Sequence, residues 1–322
     1  MTTQACLPVG STTREAAPSV RRSAYSVGAE KGQARGIGNV LAFSMKLSTS
    51  LTGGSSLPLK NELRTIPKRP EGQFSAAQKW KSMHRLICFP HAGGSASAFR
   101  PWRAVMPPNV ALHVLQYPGR ESRFGEPLID RMPDLVRLLT DELMSQGLRQ
   151  PYVLLGHSLG AAVAYEVAQE LRRRGRPGPD LLVPCARQSP TEPRRGEVHR
   201  GDDDVLIAEL RRLGGTPSEV LADPDLRRAV LNVVRNDYRL SETYVARPAP
   251  PLECPIMVLV GDADPECSAA DGAGWAAVTT GHTTVSTFAG DHFFLTPRRR
   301  EVVAAVLSRL GLPAVNAWPS TP

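Results

Sequence analysis

Long apolar runs are missing from this chain of 322 residues. No stretch approaches the ~18 consecutive apolar residues that mark a membrane-crossing helix. Arg21-Arg22 resembles a twin-arginine start, but the apolar stretch that follows is short and interrupted by Gly36, Gly38 and Asn39, so a secretory leader is not expected. Cysteine is sparse as well. Cys6, Cys88, Cys185, Cys254 and Cys267 are odd in number and scattered, with no C-x-x-C pair. That argues against a disulfide framework or a zinc site and fits a reducing cytoplasm. Phosphate-cradling loops are also absent: there is no P-loop and no G-x-G-x-x-G after a strand.

Charge of one sign is lacking over most of the chain, although the formal total is +8. Residues 1–80 hold eleven basic and four acidic groups, and the other 242 residues hold 28 and 27. The excess belongs to the first quarter, so no nucleic-acid partner is expected for the rest. Residues 1–76 are rich in Ser, Thr, Gly and basic groups and show no apolar period of 2 or 3.6. They are expected to be a disordered basic extension, with Met45 and Met83 as alternative translation starts.

Hydrophobic residues make up 41% of the chain, enough for a sizeable core. From residue 85 short β-branched runs alternate with helical patterns. Strands are expected over 85–89, 110–116, 152–155, 181–185, 256–260 and 283–288. Helices are expected over 98–105, 133–144, 159–174 and 298–310. This alternation predicts an α/β domain over 77–315, mostly a parallel sheet with helices on both faces, and a tail over 316–322. One stretch, about 187–251, shows only helical segments (203–213 and 226–244). An insertion of that kind forms a lid over the carboxyl ends of the strands, where open α/β sheets bind ligands. Asp202 to Asp204 are placed to cap the helix that follows. The basic runs 172–174 and 298–300 are expected to complement helix dipoles.

The strongest motif is Gly156-His157-Ser158-Leu159-Gly160, between a strand and a helix. In that context G-x-S-x-G is a nucleophile elbow, a tight turn that presents the serine oxygen above the sheet. A serine hydroxyl needs a base, and the base needs an orienting acid. His292 follows the last expected strand and is the base candidate; His199 and His282 lie elsewhere in the pattern. Asp262 and Asp264 both follow the strand at 256–260. Asp264 is favoured because it lies deeper in the loop, and Asp262 is expected to bond loop amides. The backbone amides of Ala92 and Leu159 are the candidate donors to the oxyanion. His91 is expected to be structural.

Six segments together resemble one family. They are FPHAGGSASAF at 89–99, QYPGRESRFGEP at 116–127, GHSLGA from 156, LRRLGGTP at 210–217, GDADP from 261 and GDHFFL from 290. Over about 77–312 they resemble the stand-alone type II thioesterases of polyketide and non-ribosomal peptide synthesis. The resemblance implies an α/β-hydrolase fold with a helical lid. It implies hydrolysis of acyl groups from the phosphopantetheine arm of carrier-protein domains, which are the expected partners. It places the triad on Ser158, Asp264 and His292 and the oxyanion amides on Ala92 and Leu159. No metal or organic cofactor is expected, and a cytoplasmic monomer is. One departure stands out: where the family pattern has GRRAP, this chain has Ala186-Arg187-Gln188-Ser189-Pro190. Two alternatives share the triad. One is a generic esterase or acyltransferase. The other is a terminal product-releasing thioesterase, against which residues 1–80 offer no Asp-Ser-Leu-like carrier attachment site.

Overall fold

The computed structural model describes residues 83–192 and 196–312. The extension read at 1–76 and the tail at 316–322 lie outside the described residues. In chain order the elements are β1 (His84–Phe89), a 3-10 segment (Ala96–Val105), β2 (Val110–Val114), α1 (Met132–Ser145), β3 (Tyr152–His157) and α2 (Leu159–Arg173). Next come β4 (Leu181–Cys185), a short 3-10 turn (Val198–Arg200), α3 (Asp203–Leu213), α4 (Ser218–Ala222) and α5 (Pro224–Glu242). The chain closes with β5 (Ile256–Gly261), α6 (Ala269–Ala273), β6 (Thr283–Phe288) and α7 (Arg299–Arg309).

Among the described residues the six strands form one parallel sheet in the order β2-β1-β3-β4-β5-β6. The inner strands β3, β4 and β5 are buried throughout because both faces of the sheet are covered. The period of two assigns the faces. Ile87, Phe89, Leu154, Leu182, Ile256, Val258 and Val260 pack with α1, α2 and Trp275. Leu86, Cys88, Val153, Leu155, Leu181, Val183, Met257 and Leu259 pack with the 96–105 segment and α7. Helix α2 is the central buttress. Its first nine residues, Leu159 to Val167, are all buried, which small side chains such as Ala161, Ala162 and Ala164 allow.

The insertion is helical, as the pattern predicts. Asp202 caps α3 by accepting from Val205 N at 3.0 Å. Asp223 caps α5 by accepting from the amides of Asp225 and Leu226, with Pro224 in the first turn. The lid has a core of its own, built from Leu206, Ile207, Leu210, Leu213, Leu221, Leu231, Val234 and Tyr238.

One expectation fails. Arg298 to Arg300 sit at the start of α7, where positive charge opposes the helix dipole. Arg298 instead donates from Nε to Ala289 O at 3.2 Å and pairs with Glu301 at 3.1 Å. Arg172 and Arg173 do lie in the last turn of α2.

The departure at residue 186 has a structural consequence. Ala186 follows β4 with φ 53°, in the left-handed region, and is buried. An L-residue there is strained by roughly 1–2 kcal/mol, and glycine is not. The Ala186 amide donates to Leu259 O at 2.9 Å, so the turn cannot relax without losing a sheet contact. Ala186→Gly is expected to stabilise the protein by about 0.5–1 kcal/mol, after the larger unfolded-state entropy of glycine is counted. The thermal midpoint should rise by roughly 1–4 °C; an unchanged or lower midpoint would count against the strain.

Candidate active site

The turn between β3 and α2 explains the motif. Ser158 has φ 53° and ψ −115°, a conformation L-residues rarely adopt. Its amide donates to Cys185 O at 2.8 Å, which holds the turn against β4. A Cβ on Gly156 would run into the backbone of Gly160, and one on Gly160 would meet Phe89 O. Both glycines are therefore required by close backbone approach, and the serine between them projects where the strand ends.

His292 lies in the loop after β6 and is 2% exposed. Its Nδ1 faces both oxygens of Asp264 at 3.0 Å, and the Asp264 side chain is fully buried. A carboxylate only accepts, so it fixes the proton on Nδ1 and leaves the Nε2 lone pair for a hydroxyl. Asp264 is held in turn by the Glu266 amide, at 2.8 Å from Oδ1. Asp262 is exposed and accepts from Gly290 N at 2.9 Å, so it ties the β5 loop to the β6 loop. Ser158, His292 and Ala92 line one cavity. His199 and His282 are not part of it: His199 Nδ1 pairs with Glu242 at 2.6 Å, and His282 precedes β6 at the opposite end of the sheet.

Leu159 provides the first amide of α2, which by helix geometry has no partner within the helix. Ala92 sits in the Pro90-to-Gly94 loop after β1. Two neighbouring imidazoles shape the loops here. His91 Nδ1 donates to Ala92 O at 2.9 Å, and His157 Nε2 donates to the backbone oxygen of His292 at 2.8 Å. Burial pushes His91 down to about 4 and His157 well below the usual histidine value. Both therefore stay neutral near pH 7 and do not oppose a positive charge on His292. His91 lines the same cavity as Ser158 and His292. The His157 contact was not legible in the motif, where that position tolerates any residue. Asp237 of α5 and Arg120, which hold the Ala92 loop, carry no sequence signal either.

The cavity is nearly filled. Leu210, Leu213, Tyr238 and Ser241 of the lid and Phe293 close over Ser158 and leave about 20 Å³, room for roughly one water. Among the described residues no group of three or more His, Cys, Asp or Glu is arranged to hold a metal ion. No described helix is long and apolar enough to cross a membrane. Cys88, Cys185, Cys254 and Cys267 are free and buried.

A parallel sheet, a serine at a strand-to-helix elbow and a helical lid define an α/β-hydrolase fold. The chain belongs to the thioesterase domain family, whose model matches residues 84–310. It is 42% identical over 212 residues to the probable cadicidin biosynthesis thioesterase of Streptomyces griseus, a match that covers 66% of this chain and 58% of that protein. It is 38% identical over 221 residues to thioesterase PikA5 of Streptomyces venezuelae, covering 68% of this chain and 78% of that one. Among solved structures, the type II thioesterase BorB from the borrelidin biosynthetic cluster superposes with a TM-score of 0.64 at 35% identity. That match covers 72% of this chain and 93% of BorB.

Proposed function

We propose that this chain hydrolyses acyl thioesters from the phosphopantetheine arm of carrier-protein domains, and so clears stalled or wrongly primed polyketide or peptide synthases. The observation that carries the proposal is the buried Asp264–His292 pair beside Ser158, under the lid of a thioesterase-family fold. The relatives in antibiotic biosynthesis support the class of partner.

In this mechanism His292 Nε2 takes the Ser158 proton as Oγ attacks the thioester carbon. The carbonyl electron pair moves onto oxygen, where the Ala92 and Leu159 amides receive it. The C–S bond then breaks, and His292 returns its proton to the sulfur. A pantetheine thiol has a pKa near that of cysteine, about 8.5, so it leaves more readily than an alcohol. Water, deprotonated by His292, attacks the acyl-serine, and the free acid departs as Ser158 regains a proton. The cycle balances with water alone.

The filled cavity implies that α3 and α5 shift before an acyl chain enters. The carrier domain is the partner large enough to engage the lid from outside. A panel of acyl-carrier thioesters, acyl-coenzyme A and simple aryl esters tests this reading. Carrier thioesters are expected to exceed the other two in kcat/KM by about tenfold or more, ~1.4 kcal/mol of differential transition-state binding. Preference for aryl esters would favour a generic esterase. Cyclised product from a long acyl chain would favour a terminal thioesterase.

A further inference from the structure

The loop that carries Ala92 is gripped by the lid. Gly93 N donates to Asp237 Oδ2 at 2.8 Å, and Asp237 lies in α5 with its side chain fully buried. Arg120, in the loop after β2, is 2% exposed and meets both carboxylate oxygens with its two Nη groups. The same guanidinium donates to Gly94 O at 3.2 Å and to Pro118 O at 3.4 Å. Asn236 Nδ2 adds a contact to Asp237 Oδ1 at 3.3 Å. Helix α5 also packs directly on this loop: a Cβ on Gly93, which has φ 75°, would stand 2.8 Å from Val234 Cγ2.

Two features set the pair apart from a merely stabilising contact. First, a buried ion pair is an inefficient stabiliser, because an apolar pair of similar volume commonly serves as well or better. Burial alone would lower the Arg120 pKa, but Asp237 beside it outweighs that and raises it, so the guanidinium stays charged. Second, the peptide between Ala92 and Gly93 is planar and is held at both ends. Its N–H goes to Asp237 and its carbonyl to His91 Nδ1. That pins one side of Ala92 and restricts how its own amide, in the preceding peptide, can turn.

We infer that Asp237, balanced by Arg120, positions the Ala92 amide for the oxyanion and thereby makes that donor depend on the seating of lid helix α5. The inference rests on the proposed thioesterase reading. Asp237 and Arg120 are positioning residues, because neither acts on the reacting atoms.

The test compares variants of the full chain on an acyl-carrier thioester, with melting temperature and affinity for an alkyl boronate read alongside. A boronate forms a tetrahedral adduct on Ser158 whose oxygen needs the same amides. Arg120→Met with Asp237→Leu leaves no unpaired ion but removes the acceptor for Gly93. It is expected to melt within a few degrees of wild type, to lose kcat by about 10- to 100-fold, and to keep KM. Boronate affinity should fall in proportion to kcat. Arg120→Met with Asp237→Asn keeps an oxygen for Gly93 and should retain more kcat. Should the leucine variant fail to fold, Asp237→Asn alone decides by the same ratio of boronate affinity to kcat. Wild-type kcat in the leucine variant, equal losses in both double variants, or a raised KM at constant kcat and boronate affinity would overturn the inference. A wild-type protein without thioester turnover would instead overturn the functional reading itself.

Discussion

Ser158→Ala is expected to reduce acyl-carrier hydrolysis by about 10⁴-fold or more, the scale on which serine hydrolases lose turnover with their nucleophile. Alanine keeps the Cβ and can occupy the same backbone, so the Ser158-to-Cys185 amide bond of the elbow survives. The loss should therefore appear in kcat with little change in melting temperature. Carrier binding should be retained, because the substitution leaves the lid untouched, and the inactive variant should form a longer-lived complex with an acylated carrier. Near-normal turnover would remove Ser158 from the chemistry. A collapse of the melting temperature would mean that the hydroxyl of the buried Ser158 serves the fold.

The features legible in the sequence were those with a local physical cause. Buried parallel strands read as short apolar runs because both faces of the sheet are covered, and β4 falls on the expected residues. The elbow was legible because a backbone crossing at van der Waals distance permits only glycine at 156 and 160. His292 and Asp264 were legible because parallel strands deliver their C-terminal loops to one edge. Features that depend on long-range contacts were not. Asp237 and Arg120 are 117 residues apart, and an arginine before a polar loop and an aspartate in a charged helix look like surface groups. The contact from His157 to the His292 backbone spans 135 residues. The run 298–300 lies at the start of the last helix, where the pattern puts it, but its expected role fails because positive charge there opposes the helix dipole.

Those long-range contacts change what the lid does. An α-helical cap over an active site is usually regarded as a cover that selects substrates. Here α5 carries Tyr238 and Ser241 into the cavity wall and Asp237 into the Ala92 loop, so one helix touches both the chamber and that loop. Arg187, just after the strained Ala186, donates to Ser241 Oγ at 2.6 Å and ties the same helix to the end of β4. The segment that departs from the family pattern thus keeps the arginine that contacts the lid.

The second large effect separates the two aspartates after β5. Asp264→Asn is expected to lower kcat on the order of 10⁴-fold, whereas Asp262→Asn should stay within about threefold of wild type, as exposed loop substitutions commonly do. At 264 both carboxylate oxygens face His292 Nδ1, and the side chain is sealed from water. An asparagine there presents its NH₂ to the ring or leaves a single acceptor. The first arrangement shifts the imidazole proton to Nε2, which can then no longer accept from Ser158. The imidazolium formed in the transition state also loses the buried negative charge that stabilises it. At 262 the requirement is one acceptor for Gly290 N, which the asparagine Oδ1 supplies in exposed surroundings. Steady-state kinetics of the two variants, with melting temperatures as the fold control, decide the matter. The opposite ranking would exchange the roles of the two residues. Equal large losses would mean that the tie between the β5 and β6 loops matters as much as the charge, since that tie sets where His292 stands.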